Sequence, residues 1–207
     1  MRSARAEAER PAADEGPTDE ALVARVAAGD RAAYACLVDR HLDRTVAVAR
    51  RILGSTAAAE DVAQEAFLRL WRGADRFRPQ EARFTTWFHR ITVNLCLDQH
   101  RRPVHGALEL AGDPADPGAD PAAALEKSRL DAALEAAVAA LPERQRAAIA
   151  LTYQAGLSNA EAAASLTLSV KALETLLVRA RRTLRESLAA WSGRTSSGEK
   201  MDRGGGR

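Results

Sequence analysis

From Pro103 to Ala124 the chain reads PVHGALELAGDPADPGADPAAA, with four prolines, three glycines and several acids. Proline removes a backbone donor and clashes with the preceding helical turn, while glycine adds conformational freedom, so this stretch is a linker and not a core element. It divides the chain into two folded units, one on each side. In 207 residues each unit is small. Both flanks are rich in Ala, Leu, Arg and Glu and poor in strand formers, which predicts an all-α protein of two small helical domains. The expected plan is a disordered tail over 1–17, a first domain over 18–102, the flexible acidic linker over 103–124, a second domain over 125–191 and a second tail over 192–207.

The first domain holds the most informative stretch, EDVAQEAFLRLWRGADRFRPQEARFTTWFHRITVNLCLDQHRR from Glu60 to Arg102. Six of the nine aromatics of the chain lie between Phe67 and Phe88, interleaved with arginines. Val62, Ala63, Ala66, Phe67, Leu70 and Trp71 recur as one broad helical stripe across Asp61–Phe77, and Phe84, Phe88, Ile91 and Leu95 repeat it over Phe84–Arg102. Thr85 or Thr86 is the expected N-cap of the second of these helices. Arginines bind phosphates and aromatic faces stack on bases, so the pair suits a reader of single-stranded nucleic acid. The same spacing also suits a plain helical hairpin with its aromatics in the core.

Ahead of this stretch, Thr18 or Asp19 caps a first short helix with Leu22, Val23 and Val26 inward. A longer helix, Arg31–Leu53, follows and stops at Gly54, with Ser55 or Thr56 opening the next. His41 borders the apolar stripe and reads as a packing residue. After the linker, Leu130, Leu134, Val138 and Leu141 mark one helix, and Glu143–Tyr153 forms another. Ser158 and Glu161 have capping-box spacing before the short helix Asn159–Leu166, and Ser169 caps the helix Val170–Ala190. A short helix, a tight turn and a long helix ending in arginines describe a helix-turn-helix, although an αα-hairpin with a solvated basic end fits as well.

Several classes of function find no support. The net charge of +2 hides basic clusters at 69–102 and 179–185 and an acidic one at 109–126, so local asymmetry points to a polyanionic partner. Cys36 and Cys96 lie on apolar helix faces without CxxC or Cys/His spacing, which predicts reduced core thiols in a cytoplasmic protein. No paired carboxylates, Gly-rich phosphate loop, nucleophile–base set or metal spacing is present, so no catalytic residue, metal or cofactor is expected. Neither a signal peptide nor an apolar run of membrane-spanning length occurs, and no membrane insertion is expected.

Two blocks resemble one family in the right order. GSTAAAEDVAQEAFLRLW with RFRPQEARFTTWFHRITVNLCLDQHRR resembles region two of the extracytoplasmic-function (group 4) sigma factors of bacterial RNA polymerase. LPERQRAAIALTYQAGLSNAEAAASLTLSVKALETLLVRARRTLRESL is similar to their region four. The resemblance covers about residues 19–102 and 126–190. It implies a factor for promoter recognition, local melting and initiation, serving a stress or envelope regulon, with core polymerase, promoter DNA and an anti-sigma factor as partners. By the same resemblance Asp61, Gln64, Glu65 and Leu68 would meet core polymerase. Phe77, Arg78, Arg83, Thr86, Trp87, Arg90, Asn94, Arg101 and Arg102 would serve the minus-ten element. Ser169, Lys171, Ala172, Glu174, Thr175, Arg179, Arg181 and Arg182 would serve the minus-thirty-five element. Arginine and asparagine suit base reading because each makes paired hydrogen bonds to base edges.

The chain departs from the family pattern at Thr167, where glycine is common, and at Glu174, Leu176 and Val178 on the recognition helix. If residue 167 needs a positive φ, threonine costs about 1 kcal/mol or more there. The rival reading is a helix-turn-helix regulator that binds duplex DNA without polymerase, for which an aromatic base-trapping loop would be superfluous.

Overall fold

The structure, a computed structural model, describes residues 16–100 and 121–198. Arg101, Arg102, linker residues 103–120 and residues 1–15 and 199–207 lie outside the described residues. Among the described residues eight α-helices follow one another: α1 (Asp19–Ala27), α2 (Arg31–Leu53), α3 (Thr56–Gly73), α4 (Phe84–His100), α5 (Pro121–Ala139), α6 (Glu143–Ile149), α7 (Asn159–Ser165) and α8 (Val170–Gly198). A 3₁₀ turn, Ala74–Arg76, follows α3, and a π-turn, Ala150–Gln154, continues α6. No strand occurs among the described residues.

Short polar side chains start most of these helices. The Thr18 hydroxyl accepts from the Ala21 N–H at 3.3 Å, the Asp30 carboxylate from Ala32 and Ala33, and the Ser55 hydroxyl from Ala58 at 3.3 Å. Ser158 and Glu161 form the reciprocal capping box, and Ser169 accepts from Ala172 at 3.2 Å. Gly54 ends α2 at φ 73°, a left-handed conformation that costs a residue without Cβ little.

Helix α4 is capped differently from expectation. It begins at Phe84, so Thr85 and Thr86 lie inside its first turn. The free Phe84 N–H donates at 3.1 Å to the Glu20 carboxylate on α1, a cap 64 residues away that no local motif could announce. Other boundaries shift too. Helix α5 starts at Pro121, inside the predicted linker, and α8 extends to Gly198, into the predicted tail.

Two apolar clusters hold the helices together. The first packs Leu22, Val23, Val26, Ala33 and Leu37 from α1 and α2 against Phe67, Leu70, Phe77, Phe84 and Phe88. Its rings interlock: Phe84 stacks on Phe88 at 5.4 Å, Phe67 lies 4.8 Å from Phe88, and Phe77 sits 5.3 Å from Trp87. Asp19 binds α1 to α2 beside it, with its Oδ1 accepting from Arg40 at 2.9 Å and its Oδ2 2.7 Å from His41 Nε2.

The second cluster joins the two halves of the chain. Val48, Ala49, Ile52, Ala59, Val62, Val93 and Cys96 share one core with Leu141, Ala147–Leu151, Ala162, Ala163, Leu173 and Leu177. Helix α7 packs on α4, and α6 with its π-turn packs on α2. The two domains therefore lie directly against each other.

Three apolar positions stand otherwise than expected. Cys36 is exposed while Cys96 is buried, and burial pushes the Cys96 thiol up to about 12. Leu130 and Leu134 are exposed, because α5 is anchored near its C-terminal end, where Ala137 and Val138 are buried.

Candidate nucleic-acid interface

The apolar stripe of α3 faces both cores and leaves Asp61, Gln64 and Leu68 exposed on the opposite side. Glu65 is half-buried and accepts from Arg69 Nε at 2.8 Å, an i,i+4 pair that holds both side chains along the helix. Beside this face a cleft opens between α2 and α3, walled by Tyr34, Val38, Leu42, Val46, Phe67 and Leu68. Acidic, amide and apolar groups thus share one accessible surface.

On α4 the exposed side carries Arg83, just before the helix, then Arg90 and Asn94, with Trp87 half-buried among them. Offsets of four, seven and eleven residues from Arg83 are one helical face, so these four groups form a single row. The row combines positive charge, one aromatic surface and an amide. Arg83 reaches the Glu161 carboxylate of α7 at 3.4 Å. The Ser158 hydroxyl and backbone N–H hold the Glu161 carboxyl below the usual carboxylate range, so the pair is ionic at neutral pH.

Two residues expected in this row stand apart from it. Phe77 is only 7% exposed, its ring wedged between Phe84 and Trp87, so it supports Trp87 from beneath and offers no free stacking face. Thr86 is 6% exposed, and its carbonyl oxygen accepts from the Ser165 hydroxyl of α7 at 3.2 Å. Arg78 is exposed, but its guanidinium donates to the carbonyls of Asp75 and Phe77, which fixes the turn before α4. Behind the row, His89 is buried with Nδ1 unpartnered, and burial lowers it to about 4, with His41 and Arg44 adding to the effect.

In the second domain α7, the turn 166–169 and α8 form a helix-turn-helix. Thr167 occupies φ 54°, a left-handed conformation, with its hydroxyl donating to the Leu166 carbonyl at 2.7 Å. At the start of α8, Ser169, Lys171, Glu174 and Thr175 are exposed and Ala172 is half-buried. Leu176 packs on the shared core, whereas Val178 is 62% exposed. Further along, Arg179, Arg181 and Arg182 are exposed. Arg182 Nε donates to Glu186 at 2.8 Å, and Arg181 Nε donates to the Tyr153 hydroxyl at 2.9 Å.

Tyr153 and the cleft between α2 and α3 are the features that sequence reasoning missed. Tyr153 lies 28 residues from Arg181, and no local spacing links them. Among the described residues no three His, Cys, Asp or Glu side chains gather as a metal set, and no helix is long and apolar enough to cross a membrane.

Comparison with known proteins decides the family. Sigma-70 region 2 matches residues 37–103, and Sigma-70, region 4 matches residues 131–184. The ECF RNA polymerase sigma factor SigE of Mycolicibacterium smegmatis is 37% identical over 191 residues, covering 87% of this chain and 73% of the relative. The chain belongs to the extracytoplasmic-function sigma factors. The sigma factor SigW of Bacillus subtilis is 32% identical over 178 residues, covering 80% of this chain and 94% of SigW. Among solved structures, CnrH in complex with the cytosolic domain of CnrY matches at TM-score 0.63 and 33% identity, covering 83% of this chain and 97% of CnrH. As a sigma factor the protein directs RNA polymerase to promoter DNA and takes part in transcription initiation. Its two sigma domains fall in the two helical halves described above, the region two match running from within α2 through α4 and the region four match from within α5 into α8.

Proposed function

We propose that this sigma factor reads the minus-ten element with the exposed row of α4 and the minus-thirty-five element with the start of α8. The observation that carries the reading is the alignment of Arg83, Trp87, Arg90 and Asn94 on one face, above a rigid ring cluster. Arg90 and Asn94 supply paired donors and acceptors for base edges, and Trp87 supplies a surface for an unstacked base. Capture of that base offsets the few kcal/mol of unpairing, which makes recognition and melting one event. Ser169, Lys171, Ala172, Glu174 and Thr175 enter the major groove, while Arg179, Arg181 and Arg182 grip phosphates. The outer face of α3, with Asp61, Gln64, Glu65 and Leu68, docks on core polymerase.

The protein adds no chemistry of its own and works in the cytoplasm. An anti-sigma factor restrains it, a reading supported by the likeness to CnrH, which was solved with the cytosolic domain of CnrY. Run-off transcription from a promoter library with core polymerase tests the assignment. The expected outcome is initiation that depends on both the protein and the polymerase and is lost when Arg90 and Asn94 are both replaced by alanine. Nanomolar binding of promoter duplex by the chain alone in physiological salt would favour a polymerase-independent regulator instead.

A further inference from the structure

Tyr153 is 60% exposed, an unusual freedom for a large ring in a helical domain, and one side chain organises it. Arg181 Nε donates to its hydroxyl at 2.9 Å, and the guanidinium carbon lies 5.8 Å from the ring centre. The contact arises because α6 packs on α8 and the π-turn then carries Tyr153 toward α8. Within that turn the Ala155 N–H bonds the Ala150 carbonyl at 3.0 Å, five residues back. The wider turn accommodates one extra residue, and each residue turns a helical side chain by about 100°, so the π-turn decides where Tyr153 points.

The geometry leaves a defined set of donors facing outward. With Nε–H engaged by the phenol oxygen, Arg181 keeps the four N–H groups of its two terminal nitrogens. The phenol, having accepted one hydrogen bond, keeps its own O–H to donate. A tetrahedral oxyanion fits such a set, two guanidinium donors on one or two oxygens and the phenol on another. The neighbouring Arg182 gives the contrast, because its Nε is bonded to the Glu186 carboxylate at 2.8 Å and its charge is compensated. Arg181 has a neutral partner and retains its full charge.

We propose that Tyr153 and Arg181 form a two-residue clamp for one backbone phosphate flanking the duplex held by α8, with Tyr153 both positioning Arg181 and donating to the phosphate. The clamp deepens the assignment of α8 to the minus-thirty-five element and rests on it. Tyr153→Phe preserves the ring and removes both hydroxyl functions. Arg181→Ala removes the charge.

The experiment uses holoenzyme assembled with core polymerase and measures affinity for a promoter duplex as a function of salt. For Tyr153→Phe the expected result is about a five-fold loss of affinity, the worth of one hydrogen bond, equal on all minus-thirty-five sequences and with an unchanged salt slope. For Arg181→Ala the loss is larger and the slope falls by about 0.9, the signature of one phosphate contact. The double variant should lose less than the product of the two single losses, since part of the hydroxyl's effect passes through the arginine it positions. Losses that multiply in the double variant, or unchanged affinity in Tyr153→Phe, would overturn the clamp. Lys171→Ala serves as the control for the underlying reading. If it too leaves promoter affinity unchanged, the assignment of α8 fails; if it alone weakens binding, only the clamp fails.

Discussion

The Ser165 hydroxyl, wholly buried, lies 2.9 Å from the Glu161 carbonyl one turn back and 3.2 Å from the Thr86 carbonyl of the other domain. One proton is shared between a partner on its own helix and a partner 79 residues away. Separation of the domains therefore leaves Ser165 satisfied, and the Arg83–Glu161 pair beside it is a surface contact of little worth. Polar groups mark this seam without locking it.

The first prediction follows from the space at that seam. Ser165→Trp cannot be accommodated against α4 and should hold the two domains apart. The free variant should show a larger hydrodynamic radius than wild type and bind a single-stranded minus-ten oligonucleotide several-fold more tightly. An unchanged radius together with unchanged binding would argue against a masking contact.

Thr167 sits at φ 54°, where a Cβ is unfavourable. Thr167→Gly should stabilise the protein by about 1 kcal/mol, less the small worth of an exposed hydroxyl contact. Denaturant unfolding checks this, and equal or lower stability would mean that the turn relaxes around threonine without strain.

His89 gives a pH dependence with a definite sign. Its folded value is lowered to about 4, so between about 6.5 and 4 the unfolded chain binds the extra proton. The stabilisation from a neutral buried His89 is complete above pH 6.5 and is lost as pH falls toward 4, by about 3 kcal/mol. His89→Gln should flatten the wild-type stability curve across that window, and parallel curves would contradict the expectation.

Base reading and phosphate binding should separate in kinetics. Asn94→Ala should cost about 1–3 kcal/mol and relax preference at one or two minus-ten positions. Equal losses on every promoter variant would remove Asn94 from the base contacts.

Charge reversal at Asp61 and Glu65 together should abolish association with core polymerase. Helical content should stay intact, since Asp61 is exposed and the Glu65–Arg69 pair contributes only about 0.3–0.5 kcal/mol. Co-purification of the double variant with polymerase would move the docking surface elsewhere.

Local rules read much of this fold directly from the chain. Asp30 and Gly54 bound α2, the Ser158–Glu161 box starts α7, and the turn at Thr167 takes the positive φ that the sequence raised as a condition. Each is a contact within a few residues. What escaped depends on distant partners. The Glu20 carboxylate caps α4, Phe77 sinks beneath Trp87, and Thr86 is covered by Ser165. A helical stripe shows which side of α3 is apolar but not which neighbour covers it, so the half-exposed ring of Trp87 and the buried ring of Phe77 looked alike. Leu130 and Leu134 erred the other way, since apolar spacing promised burial that α5 does not receive.

The shared core has a consequence on the scale of the promoter. Elements centred near minus ten and minus thirty-five are about 25 base pairs apart, which at 3.4 Å per step is roughly 85 Å of duplex. In the folded chain α7 touches α4, so the surfaces proposed to read the two elements are far too close to engage both at once. The segment between α4 and α5 comprises residues 101–120 and can reach at most about 70 Å. Occupation of a whole promoter thus requires the halves to part, uncovering Ala147, Ala148, Ala162, Val93 and Cys96 to water unless another protein takes their place. A chain built this way measures its promoter with a folded ruler, and the ruler opens only where a second surface is ready to receive its inner faces.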